Sequence, residues 1–392
     1  MEKIVSLCKR RGFVFPGSEV YGGLAGFYDY GHYGVALVNN IKNAWWKKFV
    51  DNRRDMYGIN SSIILNPKVW ESSGHVSGFT DPTEDGKQFN VMFKTSVGAG
   101  EEATTSYLRP ETAQGIFINF KNTVDAYHPK LPFGIAQIGK AFRNEIAPRD
   151  FIFRQREFEQ MEIEYFIRSD DWKKYFEYWK DEMLAWMDEV GLDMHKVHEL
   201  EVEEKDRAHY SARTIDFEFD YPFGRKELFG LAYRTDFDLK NHKLEYIDEE
   251  NSEKMVPHVI EPSFGVDRAV LAVLLSAYNE DDPERPFLKF KPSIAPVICA
   301  VSPLLKNKPE LVKKAEEVFA PLKAEFGRVA WDDNGNIGKR YRRQDEIGTP
   351  FCIVIDFDTL TDDTVTVRDR DTGEQERVKV AELVSYIKEK LN

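Results

Sequence analysis

Cysteine is scarce: the 392-residue chain has three, Cys8, Cys299 and Cys352, far apart and in no CxxC pair. That spacing argues against a disulfide framework and a cysteine-ligated zinc site, and buried structural thiols are the expectation. Long apolar runs are missing too, none approaching the roughly 20 residues that cross a bilayer. The stretch from Met1 to Arg10 has neither a signal peptide's apolar core nor its small-residue cleavage site, which makes the cytoplasm the expected compartment. Low-complexity tracts are absent, and 42% hydrophobic and 13% aromatic residues suffice to bury a large interior. A formal charge of −13 argues against indiscriminate coating of nucleic acid, while a local basic patch stays compatible with RNA. The common nucleotide-binding signatures are lacking as well. Gly22-Gly23, Gly26, Gly31 and Gly34 spell neither GxGxxG after a strand nor a P-loop lysine motif.

What is present is strong periodicity. Leu37, Val38, Ile41, Ala44, Trp45 and Phe49 fall on one helical face and predict a helix over about 35–50. Ser61-Ser62-Ile63-Ile64-Leu65 reads as a strand stopped by Asn66-Pro67. Trp172, Phe176, Trp179, Met183 and Met187 predict a second helix over 171–190. Strands are expected at 134–146, 156–167, 213–221 and 228–239, an α+β pattern of an antiparallel sheet flanked by helices. Pro283, Pro286 and Pro292 mark 281–293 as a linker. Beyond it the texture turns to βαβ: strand 295–302, helix 308–326, strand 328–331, helix 336–346, strand 351–356, a hairpin, then helix 380–391. Two domains follow, residues 1–290 and an α/β unit over 291–392.

Two segments concentrate chemistry. In Phe142-Arg143-Asn144-Glu145 a strand would put Arg143 and Glu145 on one face. In Arg156-Glu157-Phe158-Glu159-Gln160-Met161-Glu162-Ile163-Glu164-Tyr165 the alternation puts Phe158, Gln160 and Glu162 on one face and Met161, Ile163 and Tyr165 on the other, toward a core. A solvated hairpin is the plain alternative for such a charge run. Further on, His258-Val259-Ile260-Glu261-Pro262-Ser263-Phe264-Gly265-Val266-Asp267-Arg268 precedes an apolar helix. Glu261 and Ser263 share a face, Gly265 permits close backbone approach, and Arg268 falls in the first helical turn. An arginine there opposes the helix dipole, so one aimed at a phosphate is the more economical reading.

These segments resemble the class II aminoacyl-tRNA synthetases. The helix over 35–50 with the strand ending at Pro67 (about 35–67) resembles motif 1, residues about 134–165 resemble motif 2, and about 258–278 resemble motif 3. Within the class, Arg109-Pro110-Glu111-Thr112-Ala113-Gln114-Gly115-Ile116-Phe117, Trp70-Glu71-Ser72-Ser73-Gly74-His75 and Glu261-Pro262-Ser263 resemble the glycyl-tRNA synthetases of the dimeric type. Two departures stand out. Gly31-His32 replaces the usual Gly-Pro, and Thr83-Glu84-Asp85-Gly86 follows Phe79-Thr80-Asp81-Pro82 directly, where relatives carry an inserted segment that in several holds zinc-ligand cysteines. No zinc site is visible in the sequence.

The resemblance implies an enzyme that attaches glycine to tRNA(Gly) with ATP and Mg²⁺ through a glycyl-adenylate. It gives the catalytic roles to Arg143 at the α-phosphate, Arg268 at the γ-phosphate and Glu145 at the adenine amino group. Asn144, Phe153, Arg154, Phe158, Glu227, Leu228 and Gly265 complete the ATP site, with Glu227 also the Mg²⁺ position. Glycine would meet Glu111, Phe158, Glu162, Glu261 and Ser263. A homodimer through motif 1 is implied, and no membrane partner. The tail resembles the anticodon-binding domain, with Arg340, Arg342 and Arg343 of its basic cluster expected at the tRNA. The rivals are a prolyl or threonyl synthetase and a non-catalytic synthetase-like protein. The latter tends to lose the arginines that stand here at 143 and 268.

Overall fold

The computed structural model describes every residue except Glu84, Glu250 and Asn392. Glu84 belongs to the short stretch after Pro82, so that part of the stretch lies outside the described residues.

Seven strands form the main sheet: β1 (Met56–Ile59), β2 (Phe133–Phe142), β3 (Glu157–Ile167), β4 (Val197–Glu201), β5 (Arg213–Tyr221), β6 (Gly224–Thr235) and β7 (His258–Gly265). Their order is β4-β5-β6-β7-β3-β2-β1, antiparallel throughout except for the parallel β1–β2 pair at one edge. Alternation decides the two faces. Met161, Ile163 and Tyr165 of β3 and Phe217 and Phe219 of β5 point into the large core. The helices α1 (Glu2–Arg11), α2 (His32–Trp46), α4 (Trp172–Glu189) and α5 (Val266–Ala277) close that core. Phe264 stands at its centre with its ring against Trp45, Phe49, Trp186 and Phe229. The opposite face of β3, β6 and β7 carries the polar residues, and the short helix α3 (Ala113–Phe117) lies over part of it.

Three expectations need correction. Residues 61–65 are not a regular strand; the strand is Met56–Ile59, one step earlier. The reason is Arg109, buried and donating from Nη1 to Ser61 O at 3.0 Å, which holds the chain there as a support for the 109–111 loop. Arg109 also lies against Gly139, where a Cβ would come within 2.2 Å of its Nη2. Second, β2 ends at Phe142, so Arg143 and Glu145 are placed by a loop and not by strand parity. That loop is tied down by Arg143 N donating to Arg156 O and Asn144 N donating to Val91 O. Third, only the first part of the expected linker is exposed: Leu288 and Phe290 within it are buried in the large core, as are Ile294, Ala295 and Val297 just after it, where the tail's first strand begins only at Cys299. Asn40 of α2 anchors the segment by donating to the carbonyls of Ile294 and Ala295 at 3.0 and 3.1 Å.

The tail is the expected α/β unit. Its strands β8 (Cys299–Pro303), β9 (Val329–Trp331), β10 (Phe351–Ile355), β11 (Thr364–Asp369) and β12 (Gln375–Lys379) run in the order β9-β8-β10-β11-β12. The helices α6 (Pro309–Phe326), α7 (Ile337–Ile347) and α8 (Leu383–Leu391) complete it, and its core is separate. Helix α7 is docked on the main domain through its last turn. Its Glu346, almost wholly buried, takes Arg10 at 3.2 Å and Arg11, both from α1. All three cysteines are buried and free, as the spacing implied. No helix among the described residues is long and apolar enough to cross a membrane.

Candidate active site

The polar face of the sheet floors a cavity of about 710 Å³. Strand register lines up its deepest residues, because Glu162 of β3 is the partner of Gln137 on β2 and of Ser263 on β7. Ser263 Oγ donates to Glu162 Oε1 at 3.0 Å, and Thr112 Oγ1 donates to its other oxygen at 2.5 Å. Glu111 enters from the loop before α3, with His75 Nε2 3.3 Å from its carboxylate. Glu261 of β7 is held from below by Arg234 Nη1 at 2.7 Å. The three carboxylates expected at one subsite therefore converge with Ser263, as lining of the same cavity.

Electrostatics separate the acids. Burial pushes the Glu111 carboxyl up, but His75 beside it, with Arg234 and Arg143, brings it down to about 2. Burial raises Glu162, and the neighbouring Glu111 adds to this against the hydrogen bonds from Thr112 and Ser263. Burial raises Glu261 as well, opposed by Arg234. Glu164, one repeat further along β3, is fully buried with neither oxygen hydrogen-bonded among the described residues, and burial and Glu261 raise it well above the carboxylate range. An acid in that setting stays neutral. Arg234 pairs with Asp238 and Glu261 and His75 lies beside Glu111, whereas Glu162 forms no ion pair among the described residues, and a cationic ligand would supply one.

Near Glu111, Arg143 stands between the rings of Phe79 and Phe158, its guanidinium carbon 5.3 Å from each centroid, with Nε donating to Pro110 O at 3.0 Å. Arg268, in the first turn of α5, lies 4.4 Å over Phe153 and donates to Glu227 O at 3.0 Å, with the Glu227 carboxylate at 3.2 Å. Glu145 accepts from Arg154 Nε at 2.7 Å. Leu228 is the extra residue of a β-bulge in β6 against Phe217 and Glu218. Phe229 and Leu231 face the core, so without the bulge Glu227 would too; the inserted residue turns it to the cavity opposite Glu218. Gly265 also lines the cavity, whereas Asn144 does not.

Among the described residues no three His, Cys, Asp or Glu side chains are grouped to hold a metal ion by themselves. Glu227 does have an acidic neighbour. Burial raises Asp216 to about 7, with Glu227 and Glu218 contributing. Such a carboxylate pair suits a hard divalent cation that takes its remaining ligands from phosphates and water.

Four participants escaped the sequence reading: His75, Tyr210, Asp216 and Arg234. Asp216 had a signal in the alternation of 213–221. Arg234 had none, since it lies at the end of a strand and Asp238, which it pairs with at 2.7 Å, in the first turn of the helix after it.

In the tail, the basic cluster divides. Arg340 is 3% exposed and donates to the carbonyls of Pro303, Asp333 and Gly335, so it supports the domain from inside. Arg343 pairs with Asp332 at 2.5 Å. Arg342 is exposed, 3.5 Å from Glu346. After Pro82 the chain closes into a short hairpin, Thr80–Pro82 against Gln88–Asn90, which brings Phe79 to Arg143 without any inserted segment.

Residues 93–278 match the tRNA synthetase class II core domain (G, H, P, S and T), and residues 298–390 match the anticodon binding domain. The chain is 45% identical to the glycine–tRNA ligase of Lachnospira eligens and 44% identical to that of Clostridium acetobutylicum, over all of this chain and 98% of each relative. Identity to the glycine–tRNA ligase of Bacillus cereus is 44%, over all of this chain and 99% of the relative. The alignment with the Lachnospira enzyme runs over 459 positions, so that relative carries residues which this 392-residue chain lacks. Class II core, anticodon-binding tail and near-complete overlap together place the chain in the glycine–tRNA ligase family of class II aminoacyl-tRNA synthetases.

Proposed function

We propose that this protein activates glycine with ATP and transfers it to tRNA(Gly). The observation that carries this reading is the convergence of Glu111, Glu162 and Glu261 with Ser263 in one cavity that also holds Arg143, beside Glu111, and Arg268.

Glycine has no side chain to grip, so its ammonium group must supply the affinity. Three acids in one subsite repel one another, and an ammonium ion resolves the conflict. Alanine would be refused sterically, since a methyl group forced into a filled pocket typically costs about 1–3 kcal/mol. Adenylation then brings two anions together, the glycine carboxylate and the α-phosphate, and negative charge grows as they join. Arg143, fixed by Pro110 O and the two rings, is preorganised to meet that charge at the α-phosphate. Arg268 takes the γ-phosphate, and adenine lies between Phe158 and Arg268 with its amino group donating to Glu145. Phe153, Arg154, Leu228 and Gly265 complete the nucleotide site. Glu227, with Asp216, is the position for Mg²⁺, which when bound screens the phosphates. In the second step the terminal ribose hydroxyl of tRNA attacks the adenylate.

The protein works in the cytoplasm as a homodimer through the motif 1 region. Val20, Tyr21 and Leu24 of the preceding loop and Val35 of α2 support that interface, being large apolar side chains left exposed by one chain. The tail receives the anticodon stem through the exposed part of its basic cluster. Pyrophosphate exchange driven separately by glycine, threonine and proline tests the reading. Exchange with glycine alone is expected; exchange with another amino acid, or none, overturns it.

A further inference from the structure

The carboxylates of Glu111 and Glu261 come from opposite walls of the subsite, one from the loop before α3 and one from β7. A continuous chain of buried side chains joins them underneath. Arg234 Nη1 donates to Glu261 at 2.7 Å, while its Nε and Nη2 donate to the two oxygens of Asp238 at 2.7 and 2.9 Å. Asp238 accepts in addition from Gln114 Nε2 at 3.0 Å, and the same amide nitrogen reaches Glu111 Oε1 at 3.3 Å. The chain ends on His242 Nε2, 2.8 Å from Gln114 Oε1. Gln114, Arg234 and Asp238 are each no more than 2% exposed.

The two acids settle the orientation of the amide. Asp238, bound by Arg234, and Glu111 present acceptor oxygens, so Gln114 points its NH₂ at them and its Oε1 at His242. His242 then serves Oε1 as a donor from Nε2–H. Turned over, it would set a carbonyl oxygen against Asp238 and Glu111.

Strand alternation puts Arg234 on the face of Gly230 and Ala232, opposite the core side of Phe229, Leu231 and Tyr233. Arg234 is the extra residue where β6 shifts register against β7, between the Tyr233–Ile260 and Thr235–Val259 pairs. Tyr210 lies flat on its guanidinium at 3.7 Å. The guanidinium is fixed beneath Glu261 by the bonds to Glu261 and Asp238.

We propose that His242, Gln114, Asp238 and Arg234 are positioning residues that set the separation of Glu111 and Glu261, and through it the grip on the glycine ammonium. This inference rests on the reading of those acids as the ammonium site. None of the four is required to touch substrate.

The test uses pyrophosphate exchange by the full chain, measuring KM for glycine and for ATP. Gln114→Met keeps the side-chain volume and removes both N–H donors and the acceptor for His242. Losing a buried hydrogen bond of this kind is expected to raise KM for glycine about tenfold, with KM for ATP within about twofold. His242→Phe should show the same split. His242→Gln, whose amide nitrogen reaches about where Nε2 stands, should restore KM for glycine to within about threefold of the parent. A purely structural contribution would move both KM values or neither, and would not distinguish the two His242 variants. KM for glycine unchanged in His242→Phe, or equally raised in His242→Gln, overturns the proposal. If Gln114→Met fails to fold, the half-buried His242 pair decides alone. Failure of the underlying reading looks different: the parent itself would then show no glycine-dependent exchange.

Discussion

Ser263 and Glu162 face each other across β7 and β3, with the serine hydroxyl donating to the carboxylate at 3.0 Å. That bond and the one from Thr112 occupy both oxygens on one side and turn the free lone pairs of Glu162 toward the cavity. Glu162→Gln would keep the shape and remove the charge opposite the ammonium. The expected result is KM for glycine raised by at least tenfold with KM for ATP nearly unchanged, since a charge-assisted bond is roughly twice as strong as a neutral one. Equal rises in both constants would show that Glu162 serves the site as a whole.

Arg143→Ala should abolish exchange without unfolding the protein. Its guanidinium is held by Pro110 O and two aromatic faces and is pointed at the cavity. Removing a preorganised charge from a developing transition state costs on the order of 100-fold or more. Circular dichroism should match the parent, and exchange within threefold of the parent would sink the assignment.

The acids predict a pH dependence whose sign follows from their environments. Glu162 and Glu261 are raised by burial, with Glu111, Glu164 and Asp238 as further acids and Arg234 as the opposing cation. Below its folded pKa a carboxyl is protonated and cannot pair with ammonium. Glycine binding must therefore release protons at low pH, and KM for glycine should fall as pH rises above the ordinary carboxylate range toward neutrality. Glu111, held near 2, contributes no slope there. KM for ATP should change less over the same interval. A KM for glycine that is flat or rising from pH 5 to 7 would mean that the acids do not meet the amine.

Much of this was legible in sequence because strand alternation is a simple code. Met161 and Ile163 inside, with Phe158 and Glu162 outside, follow from period two once the strand is recognised, and β3 has that arrangement. The code fails where a register shifts. Glu227 reaches the cavity through a bulge, and a bulge depends on the partner strand, which the local sequence does not contain. Loop geometry was hidden for a similar reason. Arg143 and Glu145 owe their places to backbone bonds with Arg156 and Val91, both distant in sequence or on another segment.

The linker shows the same limit and changes an expectation. A cut near Lys291 looks harmless from composition, as every candidate ATP and glycine residue precedes it. Yet Ile294, Ala295 and Val297, which the cut removes, are buried in the main core. Burying one such aliphatic side chain contributes roughly 1.5–3 kcal/mol, and Arg10 and Arg11 would also be left without Glu346. The truncated protein should melt well below the parent in a thermal scan. A parent-like melting temperature would show that the main domain closes without these residues.

The basic cluster of α7 offers a sharper probe of the tail, because its arginines differ in what they touch. Arg340 donates to three carbonyls from inside the domain, and Arg340→Ala would strand those acceptors, each costing about 1–3 kcal/mol when unsatisfied. Its expected effect is on stability: a lower melting temperature, with the salt dependence of tRNA binding unchanged in the fraction that folds. Arg342 is the reverse case, 63% exposed along its side chain and joined to Glu346 only at 3.5 Å. A surface pair of that kind contributes at most about 1 kcal/mol, so Arg342→Ala should melt like the parent. If the cluster meets the RNA backbone, the slope of log affinity against log salt should become shallower by about 0.7–0.9 for each phosphate no longer neutralised. Lys339→Ala, also exposed, should add a similar decrement, while glycine-dependent exchange stays level because the site lies in the other domain. Filter binding of tRNA over a salt series, with melting curves on the same preparations, separates the two behaviours. An unchanged slope in the Lys339 and Arg342 variants would remove the tRNA from this face of α7, whatever Arg340→Ala does to stability.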